Sequence, residues 1–214
     1  MNINWRNHGV GTRFVGAELS HVDPTYFQEI HEYSEQYPAY LVAGKGLLLS
    51  GSVGCGKSYA TVALMKCLRE NMDSRFDFYF ITAPDLFELL DDKKAMDTYR
   101  LKKWVDVFST IPALVINDLG KEDRSKGLGE SVTIKLGRLL RKRHEAMLPI
   151  FVTTNLPLVP PKGKTHVKAQ TVQSVYGTSI WSMLYEMTEY RAQVNAPDRR
   201  IPTKEEMKGV SHEG

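Results

Sequence analysis

The sequence predicts an α/β fold of three layers, a central parallel sheet of five strands covered by helices on both faces. Three observations predict it. The glycine-rich stretch Gly51-Ser52-Val53-Gly54-Cys55-Gly56-Lys57-Ser58 lies directly behind the apolar run Leu47-Leu48-Leu49 and ahead of a helical pattern. Continuous apolar runs of strand length alternate along the chain with amphipathic helical stretches, the signature of strands buried on both faces. One of those runs, Ala113-Leu114-Val115-Ile116, ends in Asn117-Asp118, which delivers polar groups to a strand's C-terminal edge.

In chain order, residues 1–23 read as polar and irregular, with Gly9-Val10-Gly11-Thr12-Arg13-Phe14 as their most distinctive part. Asp23-Pro24 is a helix start, an N-cap followed by proline, and the helix is expected to end near Tyr37 ahead of Pro38. Lys45 to Ser50 is the first strand. The following helix lines up Ala60, Ala63, Leu64, Cys67 and Leu68 on one face. Phe76 to Ile81 is the second strand, and Ala83-Pro84-Asp85 opens a short helix through Leu90. Asp91–Lys94 reads as a solvated turn before a helix from about Met96 to Phe108. The third strand at 113–116 is followed by a charged connection over 121–130 and a long helix from Ser131 to Met147. Pro149 to Thr153 is the fourth strand. Pro157, Pro160 and Pro161 open a loop to about Lys168; one or two helices then cover 169–186, and Glu189 to Val194 alternates as the fifth strand. This divides the chain into an N-terminal segment and helix (1–40), a nucleotide-binding domain (41–202) and a polar tail (203–214).

The glycine-rich stretch fits the phosphate-loop pattern, Gly, four free positions, then Gly-Lys-Ser. Glycine lets the backbone wrap closely around a triphosphate and turn its N–H groups inward as an anion nest. The helix behind the loop aims its positive end at the same oxygens. Lys57 is expected to reach the β- and γ-phosphates and the Ser58 hydroxyl to ligate Mg²⁺. Asp118, at the end of an apolar strand beside the loop, can hold the same Mg²⁺, directly or through water, or orient the attacking water. Phe151-Val152-Thr153-Thr154-Asn155 is another strand ending in polar groups, and the Asn155 amide can sit between the γ-phosphate and the water; a plain strand-end cap is the alternative there.

The totals set limits. At 214 residues, 42% hydrophobic and 25% charged, the chain suits one substantial globular domain. No apolar run is long enough for a membrane span and the N-terminus lacks a signal-peptide core, so a cytoplasmic protein with no membrane partner is expected. A net charge of +3 permits contact with nucleic acid without arguing for it. The two cysteines, Cys55 and Cys67, are expected as reduced thiols, and six scattered histidines predict no structural metal.

Gly9–Phe14, the phosphate loop, Ile81-Thr82-Ala83-Pro84-Asp85-Leu86, Val115-Ile116-Asn117-Asp118-Leu119-Gly120 and Thr153-Thr154-Asn155-Leu156-Pro157 together resemble the motifs of DnaC/IstB-type AAA+ ATPases, in that family's order. These are bacterial and phage replicative-helicase loaders and transposition helpers. The resemblance covers about residues 9 to 200 and implies a P-loop NTPase of AAA+ type. Lys57, Asp118 and Asn155 then carry the chemistry. Gly51, Ser52, Val53, Gly54, Cys55, Gly56, Lys57, Ser58 and Tyr59, with Val10 and Arg13 from the entry motif, hold ATP. Ser58 and Asp118 hold Mg²⁺. It further implies ATP-dependent self-association into a ring or filament, non-sequence-specific DNA binding and a replicative helicase or transposase as partner, on a phage or mobile element.

The chain departs from the family in three ways. Asn117 stands where the first of two acids is usual, and an amide is the poorer ligand for a hard cation. Ser179 and Met183 stand where the family carries arginines, leaving Arg191, Arg199 or Arg200 as substitutes for a trans-acting arginine. About forty residues precede the first strand, where loaders often carry a sizeable partner-binding domain. An ATP-gated binding switch with little hydrolysis is therefore the alternative to an ATPase. Lys135, Arg138, Arg141, Lys142 and Arg143 on the long helix, with Lys162, Lys164 and Lys168, are the candidate DNA contacts. A solvated basic face is the commoner origin of such a helix, whose other side carries Val132, Leu136, Leu139 and Leu140. Trp181, Tyr185 and Tyr190 read as core.

Overall fold

Alternate residues of one strand feed two separate apolar clusters, and that alternation builds the three layers. In the computed structural model, which describes residues 3–72, 76–90, 105–121, 130–160 and 170–200, strand β1 (Gly46–Gly51) is buried along its whole length. Leu47 and Leu49 face one cluster and Leu48 the other. The remaining strands are β2 (Phe78–Thr82), β3 (Ala113–Leu119), β4 (Ile150–Thr154) and β5 (Thr188–Val194), in the spatial order β2-β3-β4-β1-β5. Every pairing is parallel, as the sequence predicts.

Helices α1 (Gln28–Val42) and α2 (Lys57–Met72) cover the Leu47/Leu49 face, with Ile30, Tyr33, Ala60, Ala63, Leu64 and Leu68 buried there. The Leu48 face is covered by α3 (Ala83–Leu90), α4 (helical over residues 105–110), α5 (Glu130–Glu145), α6 (Val172–Tyr176) and α7 (Thr178–Glu186). The N-terminal stretch is built of short 3₁₀ turns whose Val10, Ala17, Val22 and Phe27 enter the α1–α2 cluster. Among the described residues no helix is long and apolar enough to cross a membrane.

The first helix differs at both ends from the sequence reading. Asp23 makes a turn, accepting Thr25 N on its carboxylate (2.9 Å) and Tyr26 and Phe27 N on its carbonyl; α1 begins only at Gln28. Pro38 lies inside the helix instead of ending it. Tertiary contacts outweigh the lost backbone bond: the Tyr40 ring packs 5.3 Å from Tyr33, and its hydroxyl lies 3.1 Å from that of Tyr190 on β5. The expected turn at 91–94, most of the 121–130 connection, Lys162, Lys164, Lys168 and the 203–214 tail lie outside the described residues.

The basic helix α5 splits into two kinds of residue. Leu136, Leu139 and Leu140 are buried as expected, and Arg138, Arg141 and Lys142 are exposed. Lys135 Nζ donates to Leu90 O at 2.9 Å, tying α5 to α3. Arg143, expected among the DNA contacts, is fully buried. Its guanidinium donates to Phe108 O (2.7 Å), Ile111 O (2.9 Å), Pro112 O (3.4 Å) and Pro149 O (2.7 Å). It closes the end of α4 and the entries to β3 and β4, where carbonyls would otherwise be orphaned. Tyr185, read as core, is exposed, with the Arg191 guanidinium 3.9 Å over its ring. Trp181 and Tyr190 are half-buried.

Candidate nucleotide-binding site

The loop between β1 and α2 turns on two glycines with left-handed backbone, Gly54 (φ 82°) and Gly56 (φ 100°). A side chain at Gly54 has no room: a Cβ there would lie 1.8 Å from Asp198 Oδ1. The segment after β5 backs the loop, with Arg199 N donating to Gly54 O at 3.2 Å. α2 opens at Lys57, so the first turn's N–H groups face the mouth of the loop with no acidic side chain among them.

Lys57 is 5% exposed. Its ammonium donates to Gly51 O (2.9 Å), Ser52 O (2.7 Å) and Asn155 Oδ1 (3.0 Å), and lies 3.6 Å from Cys55 Sγ. Burial pushes its pKa below the ordinary lysine value, while Cys55 and Asp118 favour the charged form. Asn155 and Lys57, read separately from the sequence as chemistry-bearing residues, are thus in direct contact.

A register shift between β3 and β4 sets the acid. Ile116 pairs with Val152 and Leu119 with Thr154, so Asn117 and Asp118 together lie opposite Thr153. Asp118 takes a left-handed backbone (φ 60°), a conformation that aspartate tolerates better than most residues. The Thr153 hydroxyl accepts Asp118 N (2.9 Å) and donates to Asn117 Oδ1 (2.8 Å). The bulge therefore turns Asn117 into the sheet, where it is buried, and leaves Asp118 facing the cavity. Thr153→Val removes both bonds and keeps the shape; the orphaned Asp118 N–H and Asn117 amide are expected to cost about 1–3 kcal/mol. Denaturant unfolding of the variant checks this.

Asp118 and Asn155 meet the loop in one open cavity of about 450 Å³. Of the residues assigned to nucleotide binding from the sequence, Arg13, Val53, Gly54, Gly56, Lys57, Ser58 and Tyr59 line it. Gly51, Ser52 and Cys55 do not; the first two contribute carbonyls to Lys57, and Cys55 is buried beneath the loop. Val10 is buried in the apolar cluster and does not line the cavity. Phe14, His21, Lys121, Arg199 and Arg200 also line the cavity and carried no site assignment from the sequence. Phe14 belongs to the entry motif, and the sequence offers Arg199 and Arg200 only as substitute arginines. His21 and Lys121 belong to no motif.

The cavity's charge identifies the ligand class it fits. Among the described residues that line it, Arg13, Lys57, Lys121, Arg199 and Arg200 accompany a single carboxylate, Asp118. With two left-handed glycines and a helix N-terminus, that set suits a nucleoside polyphosphate. Ser58 and Asp118 are oxygen donors suited to Mg²⁺. Among the described residues no group of three or more His, Cys, Asp or Glu could hold a metal ion.

The sheet order, the glycine loop and the strand-end Asp118 and Asn155 define a P-loop protein of the AAA+ class. No family model matches the chain. The replicative helicase loader DnaI of Bacillus subtilis (strain 168) is 27% identical over 149 residues, 68% of this chain. The chain spans 44% of that relative's length. A crystal structure of the DnaC helicase loader superposes with a TM-score of 0.68 at 25% identity, covering 86% of this chain and 100% of that one. A crystal structure of DnaI superposes with a TM-score of 0.65 at 22% identity, covering 89% and 94%. Within the AAA+ class the chain is thus similar to the DnaC type, as its motifs imply.

Proposed function

We propose that the chain is an ATP-binding AAA+ protein of the DnaC/DnaI type that acts on a replicative helicase at DNA, with residues 41–202 as its nucleotide-binding domain. The observation that carries this reading is the convergence of Lys57, Asn155 and Asp118 on one cationic cavity behind a phosphate loop. The similarity to two helicase loaders supports the partner. Bound Mg²⁺ would neutralise phosphate charge and polarise the terminal phosphoryl group. Ser58 and Asp118 would hold that cation. Asn155 is placed to orient a water, and Lys57 to exchange its backbone carbonyls for phosphate oxygens. Self-association with ATP and non-sequence-specific DNA contact through Arg138 and Arg141 follow from the same reading.

Asn117 favours a second reading, an ATP-gated switch with little turnover. Its amide oxygen accepts from Thr153, so Asp118 is the one carboxylate lining the cavity among the described residues. Two measurements test these readings. Retention of a replicative helicase, and not a transposase, by the protein in ATP supports the loader; retention of neither in ATP sinks it. Steady-state hydrolysis with and without DNA separates engine from switch. Asp118→Asn is expected to bind ATP while losing hydrolysis by about 10²-fold or more, the scale on which a positioned acid or base contributes. Wild-type turnover too slow to be reduced that far favours the switch.

A further inference from the structure

Lys121 follows the acid after a single tight turn. Gly120 has a left-handed backbone (φ 100°), Lys121 N donates to Asp118 O at 3.1 Å, and Lys121 Nζ lies 2.7 Å from Asp118 Oδ2. Both side chains line the nucleotide cavity. The second lysine of the cavity is held differently: Lys57 is rooted in the phosphate loop and occupied by Gly51 O, Ser52 O and Asn155. Of the cavity's two lysines, one therefore sits on the loop side and one beside Asp118.

Lys121 is half-exposed, at 40% of its side chain, and Asp118 less so, at 19%. An ion pair of that exposure is weak, and a lysine stem is long and flexible, so its ammonium changes partner at little cost. A phosphate beside Asp118 carries more charge and more acceptor oxygens than the carboxylate does. Asp118 meanwhile gives up the ion pair with Lys121 when it turns to a divalent cation.

We propose that Lys121 reads the terminal phosphate: its ammonium pairs with Asp118 when that phosphate is absent and moves to it when it is present, freeing the carboxylate for Mg²⁺ or water. The proposal rests on the nucleotide-site reading above and deepens it. A diphosphate reaches the loop and Lys57 but leaves the Lys121–Asp118 pair intact. Lys121 then supplies in cis the positive charge that Ser179 and Met183, in the positions of the family's arginines, do not supply in trans.

The test is calorimetric binding of ADP and of a non-hydrolysable ATP analogue, in Mg²⁺, to the wild type, Lys121→Ala and Lys121→Arg. Lys121→Ala is expected to lose roughly 10- to 100-fold in affinity for the triphosphate, the range for one charge-assisted hydrogen bond to phosphate, with ADP affinity unchanged. Lys121→Arg is expected to keep most of the preference for triphosphate. Melting temperatures of the variants confirm that the fold is intact, as the exposed pair predicts. Equal losses for both nucleotides, or no loss for either, overturn the role of Lys121 and leave the nucleotide site standing. A wild-type protein that binds neither nucleotide refutes the site reading, and this proposal with it.

Discussion

Lys57→Ala is expected to reduce ATP affinity by about 10²- to 10⁴-fold, since about two charge-assisted hydrogen bonds to phosphate are lost at roughly 1.5–3 kcal/mol each. The cation is nearly enclosed, so no neighbouring side chain can move into its place. Its removal also leaves Gly51 O, Ser52 O and Asn155 Oδ1 without their shared donor. The loop that must close around phosphate then loses its internal tie. Titration calorimetry measures the affinity, and light scattering in ATP measures assembly, which is expected to be lost with it. A variant that assembles normally in ATP with no measurable nucleotide binding would falsify the nucleotide-driven reading. Lys57→Arg is expected to rescue little, because the longer planar fork cannot occupy the pocket made by the two carbonyls.

Arg143→Ala is the largest expected effect on stability. Four carbonyls, of Phe108, Ile111, Pro112 and Pro149, lose their donor at once, and a fully buried side chain leaves a hole. Burial lowers the guanidinium's pKa to about 9, still well above neutral pH, so the group stays charged and its bonds are charge-assisted. We expect a loss of about 3–5 kcal/mol, and a melting temperature lower by roughly 10 °C for a chain of this size. Arg143→Lys is expected to recover only part, because one ammonium cannot span carbonyls that leave two different nitrogens of the fork. Exposed Arg141→Ala, two residues earlier on the same helix, is expected to change stability by less than about 0.5 kcal/mol. Thermal unfolding of the three variants checks the contrast. If Arg143→Ala melts with the wild type, the buried-clamp assignment is wrong.

Arg143 and Arg141 show where sequence reasoning ran out. Both are arginines in a basic run on one helix, and their charge argues both outward, although at 3.6 residues per turn Arg143 falls on the side of Leu136, Leu139 and Leu140 and Arg141 does not. What makes a buried guanidinium tolerable is the set of unpaired carbonyls from α4, β3 and β4 that converge on it, and those lie 31 to 35 positions earlier in the chain or just past the helix. Pro38 makes the same point about backbone: the local rule ends a helix there, and the Tyr33–Tyr40–Tyr190 contacts carry it one turn further. The site divides likewise. Lys57, Ser58, Asp118 and Asn155 stand in recognisable local patterns; His21 and Arg200 reach the cavity only through the fold.

The sequence by itself determined the layers, the five parallel strands and the phosphate loop. Those follow from short-range causes: the period of apolar residues, glycine's backbone freedom, and a Gly-Lys-Ser sequence at the junction of strand and helix. The tertiary structure decided which polar groups face the nucleotide cavity and which are consumed inside the sheet. Asn117 and Asp118 are neighbours in the chain, and the sequence favours Asp118 as the cation ligand without saying where either side chain goes. The one-residue register shift opposite Thr153 decides that, by giving Asn117 a buried partner and turning Asp118 outward to Lys121. Register is a property of two strands together, set by how β3 and β4 pack, and so it is absent from either strand's sequence.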